Sequence, residues 1–572
     1  MKQRSEEILG VDLTANLKDY DLAVQQANWD EIGKQFSWSQ TNKVNMVYEA
    51  IDRHVDEGRG DRIALYYTDG VRDEKYTYSE LRQLSSQFAN GLASLEIEKG
   101  DRVFIFMPRS PELLVSLLGI VRIGAIAGPL FEAFMEEAVK DRLLDSGAKA
   151  LVTTATLLKR IPRHLLPDLK HIILVGEKGD AEGEGITSYD ELMNVSPEYR
   201  MEWVDLEDGM VLHYTSGSTG KPKGVFQVHD AMKHQYLSGK YAYDLREGDV
   251  YWCTADPGWV TGTSAGMWAP WLHGVSVVLR GGRFKPADWY KTIEKFKVNV
   301  WFSAPTAFRM LMGEGNEIVK ANDLSSLRHV LSAGEPLNPE VVRWGLEVLG
   351  HRIHDNWWMT ETGSTICSNY RCLPLRPGSM GKPLPGVYLA IIDDEGNEVP
   401  PNTMGHLAIR PPWPAMMRKI WGNPDKFAEY YRDGWYLSGD LAYKDSDGYF
   451  WFEGRSDDVI NTSGERVGPF EVESKLVEHP AVGEAGVIGV PDALRGEVIK
   501  AFITLRAGFT ESEELKTEIT QFVKERLAAH AAPRVIEFKD KLPKTRSGKI
   551  MRRVLKAWDL GLPTGDLSTM ED

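Results

Sequence analysis

The chain has 572 residues, and at roughly 150 residues per domain it should divide into about three or four lobes. An apolar fraction of 42% and a charged fraction of 26% exclude global disorder and collagen-like repeats. Lys+Arg 67 against Asp+Glu 83 leaves a net charge of −16, which argues against a protein that coats nucleic acid or an anionic membrane.

Lys2 and Arg4 have no apolar core behind them, so no secretory signal is expected and the reading is cytoplasmic. Thr77-Tyr78-Ser79-Glu80 is a capping box, and Leu81, Leu84, Phe88, Leu92 and Leu95 follow at helical spacing. Arg102 to Met107 predicts a strand stopped by Pro108. Pro111 to Gly124 predicts a helix, and Ala125 to Leu130 a buried strand. The apolar run Leu113 to Phe131 is broken by Arg122, Gly124, Gly128 and Pro129 and falls short of a membrane span. Helices interleaved with buried strands indicate α/β layering.

Tyr214 to Gly224 (YTSGSTGKPKG) packs hydroxyls, glycines and two lysines into eleven residues. Backbone N–H groups freed of side chains, together with hydroxyls and ammoniums, make a phosphate cradle. It is not the nucleotide-triphosphatase P-loop: two residues, not four, separate Gly217 from Gly220, and Pro222 after Lys221 disfavours direct entry into a helix. Ser218 to Lys221 fits the S-x-x-K pattern of penicillin-binding enzymes, but Gly220 and Pro222 oppose the helix that chemistry needs. Gly262 to Gly266 (GTSAG) fits a nucleophile elbow, yet the turn signal Asp256-Pro257-Gly258 stands where a strand should lead in. Cys253, Cys367 and Cys372 are too few to staple the chain, and the last two lack a second pair of zinc ligands.

A second, smaller α/β lobe is expected beyond Arg455-Ser456-Asp457-Asp458, with strands at 486–490 and 499–505. A capping box at Thr510 to Glu513 should open a helix carrying Leu515, Ile519, Phe522 and Val523. Residues 561–572 should fray. Between Lys539 and Lys556 eight basic residues face one acid, Asp540, a local +7. Within it Arg546-Ser547-Gly548-Lys549 places Lys549 after a flexible glycine, suited to meeting a phosphate or carboxylate.

Taken together, Tyr214–Gly224, Thr360-Glu361-Thr362-Gly363, Tyr436–Asp440, Gly454–Asp458 and Pro543–Lys549 resemble the ordered motif set of the adenylate-forming (AMP-binding) superfamily. Trp259-Val260-Thr261-Gly262, Gly334-Glu335-Pro336, Asp355-Asn356-Trp357-Trp358, Pro543–Arg553 and the opening stretch Asn45–His54 are similar to its acetate–CoA ligase branch, in the shorter Gram-positive form. The resemblance implies a large N-terminal domain of sheet-containing lobes (1–456, with 1–55 a family-like extension), a small mobile α/β C-terminal domain (457–560) and a tail (561–572). It implies two steps. Acetate attacks the α-phosphorus of MgATP, giving acetyl-AMP and pyrophosphate; the small domain rotates about Asp457, and the CoA thiol displaces AMP.

The same resemblance distributes roles. Lys549, with Thr360 and Glu361, is catalytic; Glu361 holds the Mg²⁺ that enters with ATP. Thr215, Ser216, Gly217, Ser218, Thr219, Gly220, Lys221 and Lys223 hold phosphates. Gly334, Glu335, Pro336 and the run Asp355, Asn356, Trp357, Trp358, Met359 and Thr360 line the adenine site. Asp440 takes the ribose, with Arg455 beside it and Arg466 on phosphate. CoA is expected at Thr261, Ser463 and Gly464, with its phosphates on Lys159, Arg160, Arg163 and Lys524, where lysine loses the bidentate fork of arginine. A second Mg²⁺ is implied at Val477, His479 and Val482. Met359 and Asn356 depart from the commoner Gln and Thr. Trp358, Trp259, Val260, Thr261 and Ala333 wall the acyl pocket. Ala333 stands where the branch usually has Val, so acetate is expected to be preferred with propionate as a real second substrate. Two other readings share parts of this set: an enzyme that loads a carrier protein and a non-catalytic nucleotide sensor. By analogy a lysine acetyltransferase and a deacetylase would act on Lys549.

Overall fold

The computed structural model describes residues 10–177, 183–216, 222–462, 465–492, 495–545, 549–564, 567 and 570. Four sheets organise them. In the first, the strands Ile126–Leu130, Arg102–Phe106, Ala150–Thr154, His171–Val175 and Ile186–Ser188 run parallel. The hairpin Gly209–Ser216 with Pro222–Val228 closes one side of this sheet. The second sheet has a parallel centre of Ile63–Thr68, Ser276–Arg280, Val250–Cys253, Val300–Ser303, His329–Ala333 and Ile353–Trp357. Such strands are buried on both faces, which is why they read as continuous apolar runs rather than alternating ones.

The third sheet is antiparallel, built around Gly405–Arg410 and Trp435–Lys444 with Tyr388–Ile392 and Phe450–Arg455 alongside. The chain leaves it at Arg455 and enters the fourth sheet at Ile460. There Val482–Asp492 and Gly496–Leu505 form a long hairpin, flanked by the helices Pro469–Val477, Glu513–Arg526 and Arg552–Leu560. This small lobe has an apolar core of its own, around Val472, Val487, Ile499 and Ile519.

Local signals explain most element ends. Thr77 Oγ1 accepts the Glu80 N–H at 3.1 Å and Glu80 returns a carboxylate to the Thr77 N–H at 2.7 Å, the expected capping box. The expected box at Thr510 is not formed. The helix opens at Glu513, so Ser512 is the cap and accepts from Leu515 N–H at 3.1 Å. Glu513 and Glu514 then occupy the first turn, where the positive end of the helix dipole favours carboxylates. The N-terminal stretch is tied down at Asp12–Arg371, Tyr20 Oη–Pro383 O (2.8 Å) and Trp29 Nε1–Gly386 O (3.1 Å). Among the described residues no helix is long and apolar enough to cross a membrane.

Candidate active site

A cleft of about 1310 Å³ opens where the first three sheets and the small lobe meet. One wall is the hairpin, whose register pairs Thr215 with Lys223 and Ser216 with Pro222. The phosphate-loop residues Gly217, Ser218, Thr219, Gly220 and Lys221 lie outside the described residues, as does the Ser216 side chain. Strand leads to strand here, so this loop differs from the strand-to-helix P-loop as Pro222 foretold. Thr215 Oγ1 is buried at the cleft edge without a hydrogen-bond partner among the described residues, a group suited to an incoming phosphate oxygen.

Lys223 Nζ lies 2.9 Å from Glu361 Oε1, and Tyr430 Oη donates to the same oxygen at 3.1 Å. Glu361 is held in place by the turn Thr360–Gly363. Gly363 has φ +76°, and a Cβ there would meet the Ala415 carbonyl oxygen at 2.0 Å, so both conformation and space demand glycine. Tyr430 carried no motif, and only the fold brings it to Glu361.

Asp440 lines the same cleft. Its Oδ2 accepts Trp357 Nε1–H at 2.9 Å and its Oδ1 faces Arg455 at 3.2 Å. Burial raises its carboxyl above the ordinary range, while Arg455, Trp357 and Lys549 pull it down. Lys549 borders the same cleft from the small lobe. Its side chain keeps contact with solvent, yet the surrounding walls first, and Arg455 second, hold the ammonium below the usual lysine range, with Asp440 opposing them. In the same basic segment Lys544 pairs with Glu484 at 2.6 Å and Arg552 with Glu473 at 2.5 Å. Asp457 borders the cleft where the chain passes between lobes.

Gly334, Glu335, Pro336, Asp355, Met359 and Thr360 also line the cleft. Glu335 Oε2 is fixed by Thr306 at 2.8 Å and Arg309 at 2.7 Å, two partners without a sequence signature. Asn356 spends its amide within the sheet, on Ser332 O at 3.2 Å and Ser368 Oγ at 2.8 Å. The side chain expected to meet adenine or ribose is therefore committed to strand neighbours. Trp358, Val260 and Ala333 are buried together in one apolar cluster. Trp259 and Thr261 extend this wall, Trp259 packing on Phe131 at 5.6 Å. Cys253 lies beneath, and burial pushes its thiol up to about 12, so it stays protonated at neutral pH. Ser264 donates to Gly363 O at 2.8 Å inside a π-type helix, Thr261–Trp268, and is no elbow nucleophile.

The expected CoA cations are not gathered at the cleft. Arg160 donates to the carbonyls of Glu132 (3.1 Å) and Phe134 (3.0 Å), Arg163 to that of Glu184 (2.8 Å), and Lys159 and Lys524 are exposed elsewhere. Arg109, Arg280, Lys541 and Lys544 border the cleft instead. Ser463, Gly464 and the Arg466 side chain lie outside the described residues. The segment expected to hold a second Mg²⁺ fits a divalent ion poorly. Arg506 donates Nε–H to Val482 O at 2.9 Å and Nη2–H to Val477 O at 3.4 Å, while His479 Nδ1 accepts the Ala481 N–H at 3.2 Å.

A model of the AMP-binding enzyme family matches residues 51–421, and one of the AMP-binding enzyme C-terminal domain matches 471–549. The chain belongs to the AMP-binding enzyme family. This AMP-binding enzyme is 64% identical over 561 residues to the acetyl-coenzyme A synthetase of Bacillus subtilis (strain 168), covering 97% of this chain and 98% of that one. Its fold matches the crystal structure of a Brucella canis acyl-CoA synthetase (TM-score 0.75, 37% identity, 95% and 99% covered). It also matches the anthranilate CoA ligase AuaEII in complex with anthranoyl-AMP (TM-score 0.83, 33% identity, 90% and 97% covered).

Proposed function

We propose that this AMP-binding enzyme is an acetate–CoA ligase: it converts acetate and MgATP to acetyl-AMP and pyrophosphate, then transfers the acetyl group to CoA with release of AMP. The observation that carries the reading is Lys549, presented by the small lobe into a cleft that also holds Glu361, Lys223 and Asp440. Joining a carboxylate to a polyphosphate brings anion to anion, and the barrier falls when fixed positive charge meets the charge that develops at the α-phosphorus. Lys549 supplies that charge, with its Nζ shared between the acetate oxygen and the α-phosphate. Lys223 and Thr215 hold the outer phosphates. Glu361 offers a carboxylate to the Mg²⁺ that arrives with ATP, a hard cation that takes oxygen ligands. Before MgATP enters, Lys223 neutralises Glu361 across 2.9 Å. Binding exchanges partners, with lysine passing to phosphate and carboxylate to magnesium, so neither charge is left bare.

Trp358 closes the acyl pocket at about two carbons, and the small Ala333 leaves propionate as a slower second substrate. Rotation of the small lobe about Asp457 withdraws Lys549 and admits the thiol, and Arg109 and Lys541 give the cleft mouth positive charge for the CoA phosphates. The enzyme works in the cytoplasm, and acetylation of Lys549 by an acetyltransferase, reversed by a deacetylase, would remove the charge the first step needs.

The test is acetate-dependent ATP–pyrophosphate exchange alongside CoA-dependent thioester formation, across acetate, propionate and butyrate. Lys549→Ala should lower exchange by about 100- to 1,000-fold while sparing thioester formation from added acetyl-AMP. Exchange at the normal rate in this variant, or butyrate turned over as well as acetate, would overturn the assignment.

A further inference from the structure

The turn between the helix Pro469–Val477 and the strand Val482–Asp492 carries a problem common to helix C-termini: its last carbonyls have no partner in the helix and concentrate negative partial charge. A cation beside them satisfies both needs. The resemblance noted above implies a divalent metal, using the carbonyls of Val477 and Val482 and the ring of His479.

This chain solves the problem differently. Arg506, one residue beyond the strand Gly496–Leu505, donates its backbone N–H to Ala481 O at 3.0 Å. Its guanidinium then reaches both remaining carbonyls, Val482 O at 2.9 Å and Val477 O at 3.4 Å. His479 is buried with Nδ1 accepting the Ala481 N–H. That bond assigns the ring proton to Nε2, which faces the Glu518 carboxylate at 3.4 Å, so neither nitrogen offers a lone pair outward. Of the neighbouring carboxylates, Glu478 pairs with Lys475 at 2.6 Å and Glu518 lies on the far side of the His479 ring. A divalent ion placed here would meet a resident guanidinium at contact distance, a repulsion with no compensating carboxylate among these ligands.

We propose that Arg506 is a built-in cation that takes the place of a metal in the small lobe. It joins the end of one helix to the start of the next strand, so this turn calls for no magnesium. The proposal is independent of which acid is activated, so it stands or falls apart from the reading of Lys549.

The experiment uses nucleotide-free, full-length protein. Thermal unfolding is followed from 0.1 to 10 mM MgCl2 against tetramethylammonium chloride of equal ionic strength, and Mn²⁺ binding is followed by electron paramagnetic resonance. The wild type should show no saturable rise in Tm with Mg²⁺ and no bound Mn²⁺ that His479→Phe removes. Arg506→Gln should lower the transition of the small lobe by about 3–8 °C, and Arg506→Lys, which keeps the charge but not the fork, by less. A saturable Mg²⁺ stabilisation of the wild type that is lost in His479→Phe would overturn the proposal. So would an Arg506→Gln protein that melts with the wild type.

Discussion

Lys549 shares the cleft border with Lys544 and Arg552, but those two are neutralised within the small lobe, on Glu484 and on Glu473. The walls that hold the Lys549 ammonium below the ordinary lysine range also fix a sign. A lysine with a lowered pKa is charged on the acid side and loses its proton at lower pH than a free lysine would. Acetate-dependent pyrophosphate release should therefore decline on the alkaline side earlier than an ordinary lysine would titrate. Lys549→Arg, which stays charged, should move that limb upward in whatever activity remains, as single-turnover rates across pH would show. An unmoved limb would assign the titration to another group. The acyl wall yields a second residue-level expectation. Ala333 is buried against the cluster that contains Trp358 and Val260, so Ala333→Val should return two methyl groups to the pocket. Acetate kcat/KM should hold, and propionate kcat/KM should fall by roughly 10- to 200-fold. Equal losses for both acids would mean that the valine disturbs the nucleotide rather than the acyl group.

At the scale of elements, the turn Thr360–Gly363 shows why a short motif is spelled as it is. Gly363 donates its N–H to the carbonyls of Met359 (3.1 Å) and Thr360 (3.2 Å), and it passes so close to Ala415 that no Cβ fits. Gly363→Ala combines a left-handed backbone with a backbone clash. It should cost about 1–3 kcal/mol or more, lowering Tm and, by displacing Glu361, slowing exchange; calorimetry and the exchange assay check both, and an unchanged melt would show that the turn is free to shift. Features that rest on such local chemistry were legible in the sequence. The Thr77 box and the strand stopped by Pro108 each follow from a few adjacent residues. What the sequence could not show is made by long-range approach. Tyr430 meets Glu361 across 69 positions and Arg309 meets Glu335 across 26, with no spacing to announce either. The cap at Ser512 was missed because two hydroxyl residues two positions apart compete, and only the helix start decides between them. Arg160 and Arg163 read as free cations, but folding commits them to nearby carbonyls.

For the whole molecule, the question is how one cleft serves two reactions that need different neighbours. In the orientation observed, the small lobe packs on the third sheet through Phe452–Phe470 at 5.9 Å and on the cap of the helix Pro339–Trp344, beside the second sheet, through the Asn338–Ser474 hydrogen bond at 3.1 Å. Gly468 marks a close approach: a Cβ there would come within 1.9 Å of the Glu453 carbonyl oxygen. Its own backbone, with φ −75° and ψ 126°, is one that alanine adopts freely. Gly468→Ala therefore burdens the contact between lobes rather than the fold of either. If Lys549 serves the first step in this orientation and the lobe turns away for the second, the added methyl group should act on one step alone. A displacement of about 1 Å in a positioned charge can cost on the order of 100-fold, so acetate-dependent exchange should drop by that order. Thioester formation from acetyl-AMP and CoA, run in single turnover, should stay within about 2-fold of the wild type, because relieving the clash favours the departure that step requires. Equal loss in both steps would mean that the lobes work in one fixed arrangement. Loss in neither would mean that the approach of Gly468 to Glu453 has no part in delivering Lys549.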